Sequence, residues 1–212
     1  LLDVLDELGL SKNTLVIYTS DNGPWNQDKY TKNKKGHPKD SIFWGDSGPL
    51  RNGKGSCYEG GYRLPCIVRW PGKVPAGQES TAIFTSVDFM PTFANLCDFE
   101  VPKDRRIDGI DQTGLLLGKR KTGRDYFYFN NAGVRKGKWK YLRANAYFHG
   151  YAVEKDRAKV EELYDLEADL GERNNLAEKH PEKVAELKAL MSSIEGKNSG
   201  TPSSTPNGRS KK

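Results

Sequence analysis

The stretch "LVIYTSDNGPW", residues 15–25, constrains the fold more than any other part of the chain. Leu15 to Thr19 is apolar and largely β-branched with no polar alternation, the pattern of a strand covered on both faces, as in a parallel sheet. It follows residues 1–8, in which Leu1, Leu2, Val4, Leu5 and Leu8 recur at helical spacing and Gly9 supplies a stop. Helix, short loop and buried strand make half of an α/β unit, and in open α/β sheets ligands gather outside the carboxyl ends of the strands. Asp21 and Asn22 lie at that end. A carboxylate at the edge of a core is costly unless something pairs with it. Taken alone, Ser-Asp-Asn-Gly is sound turn chemistry. The functional alternative is a hard-cation site, because a carboxylate and an amide carbonyl are oxygen ligands of the kind calcium and magnesium take.

Several function classes lose ground on composition. Of the net charge of +6, Lys197, Arg209, Lys211 and Lys212 supply four in an acid-free tail. The body is therefore near neutral, and a nucleic-acid interface is not expected. Lys29, Lys32, Lys34, Lys35 and Lys39 do cluster, but within a polar loop. Cys57, Cys66 and Cys97 form no CxxC pair, and His37, His149 and His180 are scattered, which argues against zinc. No apolar stretch approaches the roughly 20 residues of a membrane span. The chain opens on Leu1 inside a helical pattern, from which a fragment of a longer protein is expected; the lack of a leader then carries no localisation.

Downstream, residues 25–49 form a long polar loop, followed by "LRNGKGSCYEGGYRLPCIVRWPGK", where four glycines precede the strand-like "CIVRW". "TSVDFMPTFANLC" reads as a helix capped by Thr85 or Ser86, and "IDGIDQTGLLLGK" as irregular. From about residue 124 the character changes to short strand-like runs, "DYFYFN", "AGVRKGKWKYLR" and "EELYDLE", which predict a small antiparallel sheet. A helix follows with Val184, Leu187, Leu190, Met191 and Ile194 on one face. The Gly-, Ser-, Pro- and Lys-rich remainder is expected to be disordered. Lys54 in its Gly-rich loop suits a phosphate or sulfate oxygen, although the Walker spacing is absent. Arg51 is a weaker candidate of the same kind. Glu59 and Arg63 fit a structural ion pair better than chemistry.

The order of these pieces is more specific than any one of them. "TLVIYTSDNGP", "PLRNGKGSCYEGGYRLPCIVRWPGK", "SVDFMPT", "IDGID", "VRKGKWKYL", "ELYDLEADLGERNNLA" and "HPEKV" resemble, in sequence and without a gap over roughly residues 1–190, the C-terminal half of the sulfatase family, arylsulfatase-type enzymes of the alkaline-phosphatase-like superfamily. The resemblance implies an α/β fold: the C-terminal part of an alkaline-phosphatase-like α/β sandwich over residues 1–120, a small antiparallel-sheet-plus-helix subdomain over 121–195, and a basic tail over 196–212. It implies that Asp21 and Asn22 ligate a divalent cation, usually calcium, and that Lys54 contacts the sulfate and serves catalysis. His37 is a second substrate-binding candidate. The implied reaction is attack on sulfur by a formylglycine hydrate. Cys57, Cys66 and Cys97 all lack the Cys/Ser-x-Pro/Ala-x-Arg context of that nucleophile, which is expected upstream of Leu1. The implied substrate is a sulfate ester, with the lysines of 29–39 suited to a sulfated glycan, and the implied location is periplasmic, secreted or lysosomal. The alternatives are a phosphodiesterase or phosphonate hydrolase on the same scaffold, and a non-catalytic binder of sulfated polymers. Substrate identity and oligomeric state are not written in the sequence.

Overall fold

In the computed structural model, residues 1–25, 45–129, 131–146 and 160–198 are described. Helix α1 (Leu2–Glu7) ends in a left-handed Gly9, φ +67°, as its spacing predicts. A 3₁₀ turn at Ser11–Asn13 leads into strand β1 (Val16–Thr19). Its partner is β2 (Cys66–Arg69), and the pair is antiparallel, with Val16 opposite Arg69 and Thr19 opposite Cys66. The parallel neighbours expected for β1 are not among the described residues. Nor is the strand covered on both faces here: Tyr18 is 69% exposed, and so, at 62%, is its cross-strand neighbour Ile67 on β2. Apolarity alone does not distinguish the two kinds of ladder, because strand direction is set by which segment returns alongside.

Between these strands the one-turn helix α2 (Glu59–Tyr62) lies just before β2. After β2, a 3₁₀ turn (Ser86–Asp88) opens helix α3 (Phe89–Leu96) through a capping box, in which Thr85 and Asp88 bond each other's backbone reciprocally. The expected Thr85 cap is therefore present. "IDGIDQTGLLLGK" is less irregular than its glycines indicate, with a helical turn α4 at Thr113–Leu116. Buried Asp88 knits this region together: it accepts from Arg124, the Ile110 N–H and the Thr85 N–H.

The C-terminal part is the predicted antiparallel sheet, a meander of β3 (Tyr126–Tyr128), β4 (Gly133–Lys136), β5 (Trp139–Leu142) and β6 (Glu162–Asp165). Helix α5 (Pro181–Asn198) covers one face, burying Val184, Leu187, Met191 and Ile194 against Val134, Tyr141 and Leu163. The predicted helical face is the one buried, with Leu190 packed at its margin. The opposite face of the sheet is covered as well. Leu142, Tyr164 and neighbouring Phe129 pack there with Cys57 and Tyr58 from the glycine-rich loop. Two apolar clusters thus flank one small sheet, and the second joins it to the loop that precedes β2.

Candidate functional site

The antiparallel ladder explains why two distant motifs meet. Pairing Thr19 with Cys66 sets the end of β1 beside the start of β2, so the segment after β1 runs alongside the loop before β2. The Thr19 hydroxyl extends the pairing by donating to the Pro65 carbonyl at 2.9 Å. Beyond it, the Gly23 N–H donates to the Gly61 carbonyl at 3.1 Å, and the Lys54 N–H to the Pro24 carbonyl at 2.9 Å. Asp21-Asn22-Gly23 and Gly53-Lys54-Gly55 are therefore bound to one frame.

Glycine is required at these contacts for want of space. A Cβ on Gly23 would sit 1.8 Å from the Gly60 carbonyl oxygen; one on Gly60, 2.1 Å from that of Asn52; one on Gly61, 2.2 Å from that of Ser56. Backbone lies directly on backbone, and the Gly60 N–H closes the loop on the Arg51 carbonyl at 2.9 Å. The loop from Arg51 to Gly61 is held by main chain, which fixes where Lys54 emerges.

The charged side chains of this frame divide into two groups. Arg51 donates to the Tyr164 hydroxyl at 3.0 Å and the Glu172 carbonyl at 2.8 Å, and lies 3.7 Å over the Tyr58 ring. That structural use answers its candidacy as an anion contact. Arg63 pairs with Glu59 at 3.6 Å, as expected, but the principal partners of Glu59 are Lys140 at 3.0 Å and Arg135 at 3.3 Å. By contrast, the side chains of Asp21, Asn22 and Lys54 have no hydrogen bond or ion pair among the described residues. Lys54 is half-buried, with its ammonium 5.7 Å from the Trp25 ring centre, while Asp21 is exposed and Asn22 half-buried. The hydrogen bonds of Asn22 and Lys54 are made by main chain, the Asn22 carbonyl accepting from the Ser20 hydroxyl at 3.0 Å and the Lys54 N–H donating to the Pro24 carbonyl.

As a donor set for a cation, Asp21 and Asn22 fit in kind: one carboxylate and one amide, both uncommitted. In number they are two, where calcium takes six to eight oxygens, and no group of three or more His, Cys, Asp or Glu able to hold a metal occurs among the described residues. His37 and the lysines of 29–39 lie outside the described residues. Burial pushes the Cys57 thiol up to about 11, which makes it a poor nucleophile; Cys66 and Cys97 are exposed and, like Cys57, free of disulfides. No described helix is long and apolar enough to cross a membrane.

No motif or spacing in the sequence indicates that Lys140 and Glu172 reach this frame. Along β5 the two faces alternate, and Lys140 falls on the face opposite Tyr141, where a half-buried strand would put solvent. That face is instead covered by the glycine-rich loop.

Comparison with known proteins assigns the chain. A family model for sulfatases matches residues 1–99, and one described as "N-sulphoglucosamine sulphohydrolase, C-terminal" matches residues 52–197. The chain belongs to the sulfatase family. An N-acetylgalactosamine-6-O-sulfatase of Bacteroides thetaiotaomicron is 37% identical over 205 residues, 92% of this chain and 39% of its own length. The solved PsFucS1 sulfatase from Pseudoalteromonas sp. superposes with a TM-score of 0.75 at 26% identity, over 96% of this chain and 41% of that one. A further structure, solved with its substrate D-glucosamine-2-N,6-O-disulfate, has a TM-score of 0.63 at 27% identity over 96% of this chain and 38% of that one. This sulfatase chain thus spans about two fifths of the length of these relatives, and its architecture is part of their alkaline-phosphatase-like fold.

Proposed function

We propose that the full-length protein is a sulfuric ester hydrolase acting on a sulfated sugar, and that this chain forms one wall of its active site. The observation that carries the reading is the contrast above: in a frame where Arg51, Glu59 and Arg63 are all paired, the segments bearing Asp21, Asn22 and Lys54 are joined by main chain, and the three side chains make no hydrogen bond or ion pair among the described residues. Asp21 and Asn22 would hold a divalent cation, calcium, together with ligands from upstream. When bound, that cation supplies Lewis-acid stabilisation of charge on the sulfuryl oxygens. Lys54 donates hydrogen bonds to a sulfate oxygen, and its fixed position matters because a preorganised donor needs no reorganisation as charge develops. The formylglycine nucleophile belongs upstream. His37 is assigned a second substrate contact, and the lysines of 29–39 the recognition of an anionic glycan; the relative bound to a disulfated glucosamine supports that substrate class. Export of the full-length protein follows from the same family reading.

The test is hydrolysis by the full-length protein of paired aryl sulfate and aryl phosphodiester substrates, and of a 6-sulfated amino sugar. Sulfate esters are expected to be preferred in kcat/KM, and Lys54→Ala to lower that value about 10²–10³-fold, the usual cost of one preorganised donor. Preference for the phosphodiester would contradict the reading and favour a phosphodiesterase.

A further inference from the structure

The inner face of the C-terminal sheet carries a buried ion cluster that the proposed reaction does not use. Lys140 on β5 is fully buried, with its Nζ 3.0 Å from Glu59 Oε1 and 2.8 Å from Glu172 Oε1. Its third side faces the Phe129 ring, 4.5 Å to the centroid. Arg135, directly across the β4–β5 ladder from Lys140, reaches the other Glu59 oxygen at 3.3 Å. Glu172 in turn accepts the Glu59 backbone N–H at 2.6 Å. Glu59 and Glu172 are 2% and 0% exposed. With Arg63 at 3.6 Å from Glu59, three cations thus meet two carboxylates, and Lys140, Glu59 and Glu172 are closed to water while the two arginines reach the surface.

Stability alone is a poor reason for such a cluster. Desolvating the charges offsets most of the attraction, and well-packed apolar groups commonly serve as well or better. What an ion cluster does supply is position, since each carboxylate must sit where its partners' hydrogens point. The anchored element here is the turn Glu59-Gly60-Gly61, whose main chain is packed on residues 51–56 and bonded to Gly23. We propose that Lys140 is a positioning residue: through Glu59 and Glu172 it latches the Arg51–Gly61 loop to the C-terminal sheet and so sets the place of Lys54. This rests on the assignment of Lys54 as the sulfate contact. β5 contributes to the site without touching substrate, and the C-terminal sheet becomes part of the catalytic apparatus.

The test compares single variants and one double variant of the full-length protein. Lys140→Met keeps the length of the side chain and removes its charge. Met191→Ala weakens the same sheet from its other face, under α5, where nothing touches the cluster. Both are expected to lower Tm. Only Lys140→Met should raise amide exchange in peptides covering 51–61, by about tenfold or more, and with it KM for an aryl sulfate. Lys140→Met combined with Glu172→Gln should lose less than the sum of the single effects, because the two groups share one interaction. Equal exchange at 51–61 in Lys140→Met and Met191→Ala would overturn the latch. Increased exchange with unchanged kinetics would overturn the positioning role. A full-length protein that hydrolyses no sulfate ester would instead overturn the assignment of Lys54, while the exchange comparison would still decide the latch.

Discussion

At the scale of single residues, Gly23, Gly60 and Gly61 are where the sequence meets the strictest demand. The atoms a Cβ would strike are backbone carbonyls, which cannot rotate away. Gly60→Ala should therefore force the loop open, costing about 1–3 kcal/mol or more as overpacking does, with hydrolysis impaired even where the protein remains folded. Gly9→Ala is the matched comparison: its φ of +67° makes it strained, but no atom lies within 4 Å, so it should lose stability and leave activity intact. Denaturant titration and kinetics on the two variants decide between crowding and backbone strain. Asp88 makes a second demand. Burial alone would raise its carboxyl; the Arg124 guanidinium and the Ile110 and Thr85 N–H donors outweigh burial and hold it below the ordinary value. Because the folded-state value is lowered, the stability it contributes is complete above the unfolded-state value of about 3.9 and is lost as pH falls through the folded one. Asp88→Asn should cost about 3–5 kcal/mol at neutral pH, as breaking a buried pair does, and flatten the stability curve below about pH 4, both measurable by thermal melts across pH.

At the scale of elements, periodicity announced what it controls and was silent on what it does not. The α5 face was legible because Val184, Leu187, Met191 and Ile194 follow a helical repeat and all meet the sheet. Met191→Ala, by leaving a cavity there, should lower stability by about 2–5 kcal/mol with KM unchanged, read by denaturant titration alongside steady-state kinetics. The sheet itself was legible from alternation and turns. Its second buried face was not, since Lys140 and Arg135 look like the solvent side of an ordinary hairpin, and only tertiary packing brings Glu59 and Glu172 over them. The direction of β1 was hidden for a related reason. Its apolar run specified burial, whereas its observed partner β2 arrives from some 50 residues away.

At the scale of the molecule, the candidate site was legible as a set of motifs in order, and its geometry was not. Asp21, Asn22 and Lys54 are ordinary residues in ordinary turns; what joins them is the β1–β2 ladder and the Gly23–Gly61 and Pro24–Lys54 hydrogen bonds. The same view exposes apolar side chains in and beside α1, at Leu1, Val4 and Leu8, and on the β1–β2 pair at Tyr18 and Ile67. Exposed apolar surface of this kind favours association, so these 212 residues expressed alone should self-associate, and Ile67→Lys should reduce it in sedimentation experiments. The central claim, that the end of β1 holds a cation against a sulfate ester, is tested most directly in the full-length protein carrying both Asp21→Ala and Asn22→Ala. Bound divalent metal, measured by elemental analysis, is expected to fall below stoichiometry, and sulfate ester hydrolysis by at least about 10³-fold, more than removal of a single preorganised donor. Full metal content with an unchanged rate would contradict it.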